Sequence, residues 1–137
     1  MNKISIVSLE KRFKKFEKSI KIIAERILKI LKKENIEADI YLAGNGKMRF
    51  LNKKFRGKDK TADVLSFCEP KRFIYPPLDG GSKSKKIGEI YINPQSSKFS
   101  ILQLLAHGFL HLFGYHHNKK DDRIKMEKKE KFLISNF

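Results

Sequence analysis

The chain has 137 residues, 40% of them apolar, and a net charge of +16 from 31 Lys and Arg against 15 Asp and Glu. That composition excludes a disordered chain, and the length predicts one domain over residues 1–137, burying about two-thirds of its unfolded surface. No run approaches membrane-spanning length and no apolar leader follows Met1, so a soluble cytoplasmic protein is expected.

Ile4 to Val7 is β-branched and predicts a first strand. Phe13, Phe16, Ile20, Ile23, Ile27 and Leu31 then recur at three- and four-residue steps, giving one apolar stripe on a helix from about Leu9 to Lys33. Ile36 to Leu42 alternates as a second strand, ended by Gly44-Asn45-Gly46. Met48, Leu51 and Phe55 share a face of a short helix closed by Gly57. Asp63 to Cys68 and Ile87 to Ile92 predict two more strands, joined by a long basic loop from Pro70 to Lys86. Loops of that length are often functional. Pro94 with Ser96 or Ser97 is expected to open a buried helix over residues 95–114, and a last helix runs from about Lys119 to Ile134. That final helix places Ile124, Met126, Phe132 and Leu133 among lysines.

All four histidines lie within eleven residues, His107-Gly-Phe-Leu-His111-Leu-Phe-Gly114-Tyr-His116-His117. Imidazole is the commonest side chain for holding a transition metal. His107 and His111 are four apart, so on a helix both rings leave one face about one turn apart. A continued helix would carry the next histidine roughly 9 Å further, whereas a metal–nitrogen bond is about 2.0–2.1 Å. The helix must therefore end, and Gly114 sits where a left-handed residue can end it. An isolated pair at this spacing arises often by chance; the glycine and the two further histidines make a three-histidine site with an open fourth position, as in catalytic zinc sites. Adjacent residues point in different directions, so one of His116 and His117 supplies the third donor, and spacing alone does not choose.

The +4 and +10 spacing matches one class of zinc protease, but those enzymes carry a general-base Glu directly after the first His. Here Gly108 stands in that place. A helical glycine costs about 1 kcal/mol relative to alanine, which a close approach of a strand or of substrate would offset. Peptide hydrolysis is disfavoured. A metal-activated water attacking a phosphodiester needs no protein base, and the positive charge of the chain suits a polyanion such as nucleic acid, or secondarily an anionic membrane surface. Phosphodiester cleavage also needs positive charge against the non-bridging oxygens. Arg56 offers a planar fork for that role and Lys58 only a point charge, although an Arg at a helix end is usually a surface cap. Cys68 cannot form an internal disulfide, fits a reducing compartment, and reads as a small buried apolar residue.

Taken together, Leu51-Asn52-Lys-Lys-Phe55-Arg56-Gly57-Lys58-Asp59, Asp63-Val64-Leu65-Ser66-Phe67, Gly88-Glu89-Ile90 and the motif from His107 through Gly114-Tyr115 to His117 resemble the YbeY family of metal-dependent endoribonucleases implicated in ribosomal RNA maturation. Met126 and Glu130 also fall where that family's last helix has a Met and a Glu. The resemblance implies a zincin-like α+β domain, with a small mixed sheet of about four strands packed with helices. It makes His107, His111 and His117 the ligands of one Zn2+ per chain, and Arg56 the active-site arginine. It also implies single-stranded ribosomal RNA as substrate, a role in ribosome maturation and quality control, and the ribosome or ribosomal proteins as partners, with no membrane and a monomer assumed. Two places depart from the pattern. His116 replaces the Asp common before the last His, which puts ligand orientation and metal affinity in question. Thr61-Ala62 replaces Pro-Thr. An alternative class is a non-catalytic RNA-binding ribosome assembly factor whose zinc is structural, which needs a fourth protein donor such as Cys68 or Asp121.

Overall fold

The computed structural model describes residues 1–69, 84–96 and 98–137. In chain order they form β1 (Lys3–Ser8), a short 3-10 segment (Lys11–Phe16), α1 (Glu17–Ile30), β2 (Ile36–Leu42), α2 (Asn45–Arg56), β3 (Val64–Cys68), β4 (Lys85–Ile92), α3 (Ile101–Leu112) and α4 (Lys120–Ser135). The strands make one mixed sheet in the order β1-β2-β4-β3. β1, β2 and β4 run parallel, and β3 pairs antiparallel with β4, leaving β3 at an edge. The α+β class and the four-stranded mixed sheet expected from the sequence are both present.

Strand periodicity assigns the faces. Ala38, Ile40 and Leu42 of β2 and Ile90 and Ile92 of β4 point into the main core with α1 and α3. The other face of β3 and β4 carries Leu65, Phe67 and Tyr91, which pack with Met48 and Leu51 under α2. The sheet is therefore covered by α3 on one side of β3 and by α2 on the other. α3 lies across β3 and β4, with α4 against its outer flank. Leu104, Leu105, Ala106, Gly108, Phe109, Leu110 and Leu112 of α3 are all buried, as its apolar circumference demands.

Several boundaries differ from the sequence reading. The helix expected from Leu9 begins as the 3-10 segment, and α proper starts only at Glu17. Phe13 and Phe16 are three apart, and residues three apart also share a face in a 3-10 helix, so the stripe could not distinguish the two. The histidine helix begins at Ile101, not near residue 95. Ser100 Oγ accepts from Gln103 N–H at 3.1 Å while Gln103 Oε1 accepts from Ser100 N–H at 2.9 Å, a complete capping box. Phe55 is 57% exposed, and Ile124 and Phe132 are also exposed, so only Met126 and Leu133 of α4 enter the core. Of the loop expected over Pro70 to Lys86, residues 70–83 lie outside the described residues, as does Ser97, and Lys85 and Lys86 already belong to β4. Among the described residues no helix is long and apolar enough to cross a membrane.

Candidate metal centre

α3 sets His107 and His111 one turn apart, and their Nε2 atoms stand 3.0 Å from each other. Each ring is fixed from behind. Glu130 of α4 accepts from His107 Nδ1–H at 2.7 Å, and the Tyr115 carbonyl accepts from His111 Nδ1–H at 3.0 Å. A carbonyl can only accept, so the His111 proton is on Nδ1 and its Nε2 lone pair is bare. The same tautomer follows for His107 against the Glu130 carboxylate. Two bare lone pairs facing at 3.0 Å repel unless a proton or a cation lies between them. Two donors bound to one tetrahedral zinc stand about 3.3 Å apart, so the observed separation needs only a few tenths of an ångström of opening.

The turn after α3 brings the third donor. Phe113 ends the helix and Gly114 takes φ +95°, a conformation that strains any residue bearing a Cβ. Gly114 N–H donates to the His111 carbonyl at 3.0 Å and Tyr115 N–H to the Leu110 carbonyl at 2.9 Å, the paired bonds of a Schellman cap. The reversal carries His117 back to the helix, with its ring 5.6 Å from that of His107 and 4.9 Å from that of His111. One ligand atom from each of His107, His111 and His117 lies within 4.8 Å of the others, a group able to hold a metal ion. His116, the alternative that spacing left open, is outside this group. Neither Cys68 nor Asp121 joins it among the described residues. Cys68 is exposed rather than buried, because it ends the edge strand, and its Sγ–H points to the His111 carbonyl at 3.6 Å.

Burial lowers the His111 pKa from its ordinary 6.5 to about 4, helped by the neighbouring His107 and His117 and by the positive charge of Arg56, against an opposing pull from the Tyr115 carbonyl. The ring therefore stays neutral, and available as a donor, well into the acid range. Arg56 is the last residue of α2. It is exposed, and α2 and α3 cover opposite sides of the edge strand β3. Gly57, at φ +68°, stops α2 there. Buried Asn52 donates to the Lys60 carbonyl at 2.9 Å and clamps the following loop to the helix. Asp59 pairs with Arg49 at 2.8 Å, which leaves Arg56 with no carboxylate partner among the described residues.

Gly108 has a packing explanation. A Cβ there would lie 2.9 Å from Ile90 Cγ2 and 3.3 Å from Ser66 Oγ, and Ser66 Oγ–H donates to the Gly108 carbonyl at 3.1 Å. The close approach expected to offset the helical glycine is that of the sheet. The direction of that Cβ also shows that a side chain at 108 would point into the sheet, so it is no place for a base. Sequence spacing did not reveal the hydrogen-bond partners behind the rings. The resemblance placed Glu130 among matching positions without giving it a task, and Tyr115 acts through its backbone, which no side-chain pattern encodes.

The model of the family described as Endoribonuclease YbeY matches residues 5–137. This chain belongs to the YbeY family. Among curated relatives, the protein named Endoribonuclease YbeY in Sulfurihydrogenibium sp. is 35% identical, the match covering 85% of this chain and 81% of that one. Its namesake in Pelagibacter ubique is 33% identical, with 97% and 94% covered, and that in Thermodesulfovibrio yellowstonii is 33% identical, with 95% and 89% covered. A solution structure from Thermotoga maritima shares 25% identity at a TM-score of 0.49, covering 97% of this chain and 90% of that one. The YbeY blocks read from the sequence are thus joined in space: the arginine block ends α2, the Leu65-Ser66-Phe67 block is the edge strand, and the histidine block is α3 and its turn.

Proposed function

We propose that this YbeY protein is a zinc-dependent endoribonuclease that cleaves single-stranded ribosomal RNA in ribosome maturation and quality control. The observation that carries the reading is the convergence of three imidazoles, two with tautomers set by Glu130 and Tyr115. Arg56, at the end of α2, has no carboxylate partner among the described residues. The relatives named as endoribonucleases support the RNA substrate.

His107, His111 and His117 would hold the ion through ring nitrogens. Zinc bound there would supply Lewis acidity and a lowered water pKa in place of a protein base. The chain's own residues supply the rest. Glu130 and the Tyr115 carbonyl keep the His107 and His111 lone pairs directed inward. Arg56 binds a non-bridging phosphate oxygen through its planar fork and offsets the charge that builds there. Among the described residues the cluster has three protein donors rather than the four typical of structural zinc, which favours catalysis over the assembly-factor alternative.

The test pairs metal analysis of the purified chain with cleavage of a single-stranded RNA, with and without chelator. A His111→Ala protein purified in parallel controls for contaminating nuclease. The parent is expected to carry about one zinc per chain and to lose cleavage with chelator. Cleavage by His111→Ala at the parent rate would assign the activity to another protein.

A further inference from the structure

We propose that Phe50 and Phe55, with Lys54 between them, form a base-stacking platform on α2 that selects single-stranded RNA and delivers it to Arg56 and the histidine cluster. This rests on the functional reading above and adds to it how the strand is gripped and why a duplex is rejected.

Phe50 is 53% exposed and Phe55 57% exposed. One exposed apolar side chain means little on its own, but these two rings share a helix and a cation. Lys54 Nζ lies 5.8 Å from the Phe50 ring centre and 5.5 Å from that of Phe55, and Lys47 Nζ covers Phe50 at 5.2 Å. Phe55 is also braced from behind. Its ring meets Phe67 edge-on at 5.3 Å, and Phe67 meets Tyr91 at 5.7 Å, so Phe55 presents a surface already held in place.

Position gives the platform its direction. Phe55 directly precedes Arg56. Phe67 lies on β3 between Ser66 and Cys68, whose side chains reach the backbone of α3 at Gly108 and His111. A strand lying over Phe55 is therefore against the α2 face of the edge strand β3, whose opposite face carries α3 and its histidines. Residues 45–60 carry seven Lys and Arg (47, 49, 53, 54, 56, 58 and 60) against the single acid Asp59, which Arg49 already pairs. Among the described residues, Asp39, Glu69 and Glu89 gather about Lys86 at 3.1 to 3.9 Å, an acidic group that favours a polyanion less than the basic α2 segment does.

The chemistry fits a single strand. Every base has a π-face that can stack on an aromatic ring, whereas in a duplex those faces are already stacked on neighbouring bases. In the free protein the lysines cover the rings. Their long stems let the ammonium groups swing from ring to phosphate as a base takes their place. Selection is then for unpaired bases, with little dependence on which base.

Fluorescence anisotropy would test this with three labelled ligands of about 12 nucleotides: a single-stranded adenosine RNA, a base-free ribose–phosphate oligomer of the same length, and an RNA duplex. Oligonucleotide integrity is checked on a gel after each titration. Phe50→Ala and Phe55→Ala are expected to weaken single-strand binding about 5- to 150-fold per stacked base. Phe55→Leu, which keeps the packing on Phe67 but removes the π-face, should lose nearly as much. Binding of the base-free oligomer and the duplex should not change. In cleavage of the single strand the loss should appear in KM and not in kcat. Lys54→Ala should instead reduce the salt dependence, by about 0.7 in the log–log slope. Equal losses on the base-free oligomer, or no loss on the single strand, would overturn the platform and leave the nuclease reading standing. Phe variants that abolish a self-association seen by sedimentation, at unchanged RNA affinity, would make the rings a protein contact instead. A parent protein that binds none of the three ligands would overturn both readings together.

Discussion

Glu130 Oε1 and His107 Nδ1 stand 2.7 Å apart, joining α4 to the first histidine of α3. The contact fixes which ring nitrogen carries the proton, so the Glu130 carboxylate decides whether His107 Nε2 has a lone pair to offer. Hydrogen-bond partners of this kind typically change metal affinity about 10- to 100-fold when removed. Glu130→Ala should therefore weaken zinc binding by that order, measured by competition with a chromophoric chelator. Glu130→Gln, which retains an accepting oxygen without the charge, should lie between Ala and the parent. If all three bind zinc equally, the contact is packing alone.

Gly108→Ala separates helix propensity from packing. Propensity favours alanine by about 1 kcal/mol. Against it, the new methyl carbon would sit 2.9 Å from Ile90 Cγ2, and Ile90 is fully buried and β-branched, so its side chain cannot swing clear. Overpacking of this kind costs about 1–3 kcal/mol. The expected outcome is a net loss of stability, read as a lower urea midpoint at unchanged m-value. A higher midpoint would show that the sheet can retreat and that the glycine has another reason.

How far the sequence could be read depended on whether a feature is local and side-chain borne. The histidine spacing and Gly114 lie within eleven residues, and helix geometry converts them directly into a converging pair and a reversal. The first strand followed from β-branched residues and the second from alternation. The start of α3 lies later than Pro94 suggests because Ser100 and Gln103 make the cap through reciprocal bonds. Periodicity puts Phe55 on one helix face with Met48 and Leu51 but does not say that another element covers that whole face, and Phe55 is 57% exposed. The contacts of Glu130 with His107 and of Ser66 with Gly108 span 23 and 42 residues, and only tertiary packing reveals them.

The depressed His111 pKa predicts a pH dependence for the metal-free protein. In the unfolded chain the ring takes up a proton near 6.5, and in the folded protein only near 4. Between these values the unfolded state binds more protons, so stability rises with pH. The contribution is complete above about 6.5 and is lost as pH falls through the folded value of about 4. Urea midpoints measured in chelator should fall across that window. His111→Ala should flatten this part of the curve, because no ring remains to be protonated. An unchanged slope in the variant would assign the acid sensitivity to other groups.

Arg56 provides the sharpest division between holding the metal and using it. It ends α2 on the exposed surface, contributes no donor to the histidine group, and is followed by the left-handed Gly57 that stops the helix without its help. Arg56→Ala should therefore retain zinc content and thermal stability. Loss of a group that stabilises transition-state charge typically costs about 10²–10³ in kcat, and a fall of that order is expected on a single-stranded RNA. Arg56→Lys keeps the charge but loses the planar fork, so it should recover only part of the rate. Steady-state kinetics of the three proteins, each with its zinc content measured, check the assignment. An Arg56→Ala enzyme that turns over like the parent would remove the guanidinium from the chemistry and leave the three imidazoles to act without it.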